Sequence, residues 1–137
     1  MVVDNSVAAA WFLKEQDSYA DQVLDALECG ETMLVPSLWL LEITNTLLVM
    51  ERRGRITSAI RLDALTQLNK LPIHIAPAIS IASLGCLDGL ASKHQLSAYD
   101  AEYLRVTIDH RSSLASNDEA LNRAASKEGV PLFVAAS

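Results

Sequence analysis

The chain has 137 residues, half of them hydrophobic and a fifth charged, with 11 Lys+Arg against 17 Asp+Glu for a net charge of −6. That composition supports a packed core and excludes a disordered chain, and the acidic balance excludes a nucleic-acid binder that is basic overall. Residues 1–50 hold one base (Lys14) and eight acids, whereas residues 51–137 hold ten bases and nine acids, so a local basic patch in the second part stays open.

Apolar runs too short for helices read as strands at Met1–Asp4, Thr32–Val35, Ile73–Ala76, Ser113–Ala115 and Pro131–Val134. Helical patterns fill the intervals at 6–13, 17–29, 37–53, 57–70, 79–93, 97–109 and 118–128. Their expected N-caps are Ser6, Asp17, Ser37, Thr57, Ser80, Ser97 and Ser116 or Asn117, and Gly30, Gly54 and Gly129 follow three of the ends. Apolar strands alternating with helices predict an α/β fold with a parallel sheet covered on both faces. No internal repeat or interdomain linker interrupts 1–137, which predicts one domain. Cys29 and Cys86 are too few for a disulfide framework or a cysteine-type zinc site, and their helical context predicts buried free thiols. The sequence shows no signal-peptide pattern. Its longest apolar stretch, Val35–Met50, is broken by Pro36, Glu42 and Asn45, so the expectation is a soluble, cytoplasmic protein.

In open α/β sheets, sites form beyond the carboxyl ends of strands, near helix N-termini. Four carboxylates bear on that rule. Asp4 ends the first strand, where it reads equally well as a turn or N-cap acid. Glu42 lies in Leu38-Trp39-Leu40-Leu41-Glu42-Ile43, a helix apolar nearly all round and hence expected to be buried; a lone buried glutamate must be paired, protonated or cation-bound. Asn45 shares its face. Asp100 follows Ser97 at capping-box spacing, and taken singly it reads as a helix-start acid. Asp118 follows the fourth strand, where a first-turn acid meets the helix dipole. Taken together, carboxylates without His or Cys partners suit Mg²⁺ or Mn²⁺, and a cluster of them needs a divalent cation to offset repulsion. Such clusters run metal-assisted phosphodiester hydrolysis.

Val3-Asp4-Asn5-Ser6, Pro36-Ser37 with Glu42-x-x-Asn45, Ser97-Ala98-Tyr99-Asp100-Ala101 and Leu114-Ala115-Ser116-Asn117-Asp118 together resemble the PIN-domain ribonucleases, and more narrowly the VapC-type toxins of toxin–antitoxin pairs. The likeness spans essentially the whole chain and includes Glu119-Ala120-Leu121 and Gly129-Val130. It implies a three-layer α/β/α sandwich around a parallel sheet of about five short strands. It also implies Mg²⁺- or Mn²⁺-dependent endonucleolytic RNA cleavage, with Asp4, Glu42, Asp100 and Asp118 as the catalytic and metal-holding set. Ser116 stands where many relatives have Thr, and Asn45 would be a supporting hydrogen-bonding residue. A homodimer and a cognate antitoxin whose C-terminal segment covers the site are implied as well.

Two other classes stay open. One is an aspartate phosphatase or phosphoacceptor with Asp4 as nucleophile, against which stand Ser6, where a second Asp is wanted, and the lack of a lysine ending a later strand. The other is a catalytically inert binding module. His74 reads as a strand residue, and His94 and His110 as helix-end cations. Trp11, Phe12 and Trp39 read as core or dimer contacts. Arg52, Arg53, Arg55 and Arg61 form the densest basic group, either a solvated helix end or a contact for RNA phosphates or an acidic partner.

Overall fold

A computed structural model describes residues 1–13 and 15–135. The elements, in chain order, are β1 (Val2–Val3), α1 (Asn5–Ala10), α2 (Ser18–Glu28), β2 (Met33–Val35), α3 (Leu38–Arg52), α4 (Ser58–Lys70), β3 (Ile73–Ile75), a 3₁₀ turn (Ile81–Ser83), α5 (Leu84–His94), α6 (Ala98–Asp109), β4 (Leu114–Ala115) and α7 (Glu119–Lys127). The strands form one parallel sheet in the order β3-β2-β1-β4. Successive strand residues face opposite sides, and Val2, Val3, Met33, Val35, Leu114 and Ala115 are all buried. Helices therefore cover both faces of the central strands. Edge strand β3 is different: His74 and Ile75 are exposed.

The fifth strand expected at Pro131–Val134 shrinks to a single parallel bridge between Leu114 and Leu132, framed by Leu114 N–H to Pro131 O (2.9 Å) and Phe133 N–H to Leu114 O (2.7 Å). Its neighbour β4 is two residues long, so there is no more ladder to join.

Local signals set most helix starts. Asp17 accepts from the Ala20 amide (3.0 Å), Thr57 from Ile60 (3.2 Å) and Ser97 from Asp100 (3.1 Å), each satisfying an otherwise orphaned N–H. Gly54 and Gly129 take the left-handed conformation (φ 72° and 74°) that ends α3 and α7. Ser6, Ser37 and Ser80 do not cap through their side chains. The cap of α7 is Asp118, accepting from Leu121 N–H at 2.9 Å, rather than Ser116 or Asn117. The pattern at 79–93 divides into the 3₁₀ turn and α5.

Three burial expectations need correction. Helix α3 buries only the stripe Trp39, Ile43, Leu47 and Met50, while Leu40 and Leu41 are exposed; its apolar surround exceeds what the sheet covers. Cys29 and Cys86 are both exposed. Cys29 is the C-cap of α2, two residues past the last buried position, Leu27, and α5, which carries Cys86, has no buried residue. Trp39 belongs to the core, and Trp11 and Phe12 pack against it; Trp11 Nε1 donates to Ala20 O (2.8 Å), tying the end of α1 to α2.

Candidate active site

Strand order reverses at β1: β2 and β3 extend from one side of it and β4 lies on the other. The crevice beyond the carboxyl ends of β1 and β4 is thus the topological switch point, the favoured site position in such sheets. The register Val3↔Ala115 sets Asp4 beside Ser116, with Asp4 N–H donating to Ala115 O at 2.9 Å. Asp4 is buried, 6% exposed. Its Oδ2 accepts from Ser6 Oγ (2.8 Å) and Ser116 Oγ (2.9 Å).

Both hydroxyls are committed in both directions. Ser6 Oγ accepts from Asn117 N–H (3.1 Å), and Ser116 Oγ accepts from Asp118 N–H (2.9 Å). A hydroxyl has one proton to give, so these two amide bonds fix where each proton points. The turn 116–118 is held further by Asn117 Nδ2 on Asp17 Oδ2 (2.7 Å) and Asn122 Nδ2 on Ser116 O (2.9 Å). Asp4 Oδ1 and Asp118 Oδ2 are left outside these bonds as acceptors. The role of Ser6 as a clamp on Asp4 is one that sequence reasoning misses, as it misses Tyr103 altogether. The position of Ser6 two residues after the strand-end acid is the available signal, but by pattern alone it reads as a helix cap.

The other two acids come from the flanking helices. Glu42, on α3, is half-buried and is held by Tyr103 Oη, which donates to its Oε1 at 2.7 Å. Tyr103 lies fully buried on α6; burial first, then the Glu42 carboxylate, push its hydroxyl far above the ordinary tyrosine value, so it stays a donor. Glu42 is accordingly not a lone buried charge. Asp100, in the first turn of α6, is also half-buried. Asn45 is exposed, and the bonds that stiffen the acids come from Ser6, Ser116 and Tyr103 instead.

Charge coupling links the four carboxylates. Burial raises Asp4 above the ordinary carboxylate range against the opposing serine bonds, and the Asp118 charge adds to it. Burial also raises Glu42, opposed by the Tyr103 bond and reinforced by the charges of Asp4 and Asp100. Asp100 is raised by burial and then by Asp4 and Asp118. Asp4 is coupled in this way to Glu42, Asp100 and Asp118, and Asp100 to Glu42 and Asp118 as well. Among the described residues, no three ligating side chains already stand as a coordination shell. The donor set nevertheless suits a hard divalent cation: all oxygen, anionic, mutually repelling and preset at Asp4.

The PIN domain model matches residues 1–127, and the chain belongs to that family. PIN domains are generally metal-dependent nucleases. Among solved structures, the chain is similar to PAE2754 from Pyrobaculum aerophilum (22% identity, TM-score 0.65, covering 90% of this chain and 77% of that one). It is also similar to FitAcB from Neisseria gonorrhoeae (14% identity, TM-score 0.66, covering 97% and 96%). At such identities the likeness is one of fold. No curated protein matches the sequence. Among the described residues, no helix is long and apolar enough to cross a membrane.

Proposed function

We propose that this PIN domain, spanning 1–137, is a Mg²⁺-dependent endoribonuclease of toxin type, with Mn²⁺ as an alternative ion. The observation that carries the reading is a strand-end Asp4, buried and held by two serine hydroxyls, whose charge couples to Glu42, Asp100 and Asp118. Asp4, Asp100 and Asp118 would hold the cation, and Glu42 would complete the set. When bound, the ion supplies charge neutralisation and activation of water toward the phosphodiester.

The chain's own groups do the rest. Ser6 and Ser116 favour the ionised form of Asp4 against the burial that raises it. Tyr103 holds Glu42 with one oxygen occupied, so the other can accept a proton from the attacking water or orient it. Water attack with departure of the 3′-oxygen leaves a 5′-phosphate and a 3′-hydroxyl.

A cytoplasmic homodimer neutralised by a cognate antitoxin completes the reading. Among the described residues, ten large hydrophobic side chains stand exposed, including Leu41 at 77% and Ile81 at 88%.

The test is cleavage of total RNA by purified, antitoxin-free protein with and without Mg²⁺, with the new ends mapped. Metal-dependent cuts bearing 5′-phosphates, abolished in Asp4→Asn, are expected. Intact RNA under all conditions, with no Mg²⁺ binding in calorimetry, would favour an inert module. Expression alone should arrest growth, and co-expression of the neighbouring small open reading frame should relieve it; harmless expression of an active nuclease would remove the toxin assignment.

A further inference from the structure

The basic group singled out in the sequence divides on folding. Arg61 pairs with Glu51 at 3.0 Å and Arg55 with Glu15 at 3.2 Å. Arg53 and Arg55 line one pocket of about 220 Å³ together with Asn45, Thr46, Val49 and Met50, whereas Arg52, next along the helix, does not. Gly54 makes the pairing possible, because its left-handed φ of 72° reverses the chain between the two arginines.

The pocket is aligned with the acids. Glu42, Thr46 and Val49 are spaced i, i+4, i+7 on α3, and its C-cap Arg53 follows at i+11, one stripe of a helix. At 1.5 Å per residue, Arg53 stands about 16 Å along the axis from Glu42, a span that a few nucleotides of single strand cover. Asn5, the residue after Asp4, donates from Nδ2 to Thr46 Oγ1 at 3.0 Å, so the pocket wall and the central acid are fixed to each other.

We infer that this pocket is a phosphate-binding subsite for the RNA strand flanking the scissile bond. The inference rests on the nuclease reading above and adds where the substrate runs. Arg53 and Arg55, both lining residues, carry guanidiniums that match phosphate oxygens, while Val49 and Met50 offer an apolar wall to ribose or base. The Arg55–Glu15 pair is exposed on both sides, 46% and 80%, and such pairs exchange partners at little cost. An acidic protein segment could use the same guanidiniums, but the stripe leading from Glu42 favours the strand being cut.

The test measures binding of fluorescein-labelled oligouridylates of graded length across a salt series, in an Asp100→Asn background that keeps the RNA whole. Arg53→Gln with Arg55→Gln should weaken long oligomers several-fold and leave the shortest ones unchanged. It should also flatten the log K against log salt slope by about 0.7 for each phosphate no longer neutralised. Arg52→Gln, which removes one charge from the same helix end outside the pocket, should do little. Glu15→Gln should tighten binding up to about fivefold by releasing Arg55. Equal losses in the Arg52 and Arg53/Arg55 variants, or an unchanged slope in the latter, would overturn the subsite while leaving the nuclease standing. If the double variant loses polyglutamate binding but keeps RNA, the pocket belongs to a protein partner. If the unsubstituted pocket binds no RNA, the nuclease reading fails together with the subsite.

Discussion

Replacing Asp100 by Asn separates a helix-start acid from a member of a charged site by the sign of a stability change. The capping bond at this position uses the Asp100 backbone N–H, donated to Ser97 Oγ, so the substitution leaves it in place. What is lost is the carboxylate's interaction with the dipole of α6, about 0.3–1 kcal/mol at an exposed site. What is relieved is repulsion from Asp4 and Asp118, the charges that raise Asp100 after burial itself. Two like charges ~7 Å apart at an effective dielectric of ~20 cost about 2 kcal/mol; half-exposure of Asp100 cuts this to about 1 kcal/mol per neighbour. Relief of burial of a charge adds in the same direction.

The metal-free fold should therefore gain about 1–2 kcal/mol, or roughly 3–8 °C in a domain of this size. Thermal melts of both proteins in EDTA and in excess Mg²⁺ make the comparison. The variant should melt higher in EDTA, gain less from Mg²⁺, and cut RNA orders of magnitude more slowly. A variant that melts lower in EDTA and responds normally to Mg²⁺ would reduce Asp100 to a helix-start residue and refute the coupling of the four acids.

Ser116→Ala should destabilise by about 1–3 kcal/mol in urea titrations, because it strips a buried bond from Asp4 and leaves the Asp118 amide without its acceptor. Ser6→Ala should cost less, since the Asn117 amide it releases is exposed to water. Tyr103→Phe removes the donor to Glu42; about 1 kcal/mol of stability should go, and Mg²⁺ affinity measured by calorimetry should fall although no proposed ligand is changed. In EDTA, stability should rise as pH drops from neutral toward the ordinary carboxylate range. Asp4, Glu42 and Asp100 are all raised, so the folded state binds protons more tightly than the unfolded chain and is favoured as they protonate. Glu128 works in the opposite sense: Lys93 and His94 hold it below its ordinary value, so its contribution is lost as pH falls through that lowered range. Glu128→Gln should therefore leave the gain above the ordinary carboxylate range in place and remove the loss below it in EDTA melts.

The sequence by itself determined what depends on neighbours a few residues away. Asp17, Thr57 and Ser97 cap because a side-chain oxygen reaches an amide three positions on, whatever the rest of the chain does. The strand–helix alternation, Asp4 at the end of β1 and Asp118 at the start of α7 follow from the same short-range patterns, and with a parallel sheet they point to the switch point. Burial was not legible in this way. Cys29, Cys86, Leu40 and Leu41 all lie in apolar helical context, and only the docking of helices on a four-stranded sheet decided that they face outward. Nor could spacing show that Glu42 would find Tyr103 across 61 positions. It could not show that Ser6 would clamp Asp4 to the 116–118 turn, or that Arg53 would share a pocket with Arg55 while Arg52 would not. Hydrogen bonds and charge couplings act over a few ångströms of space, and which residues come that close is fixed only when the sheet order and the helix faces are.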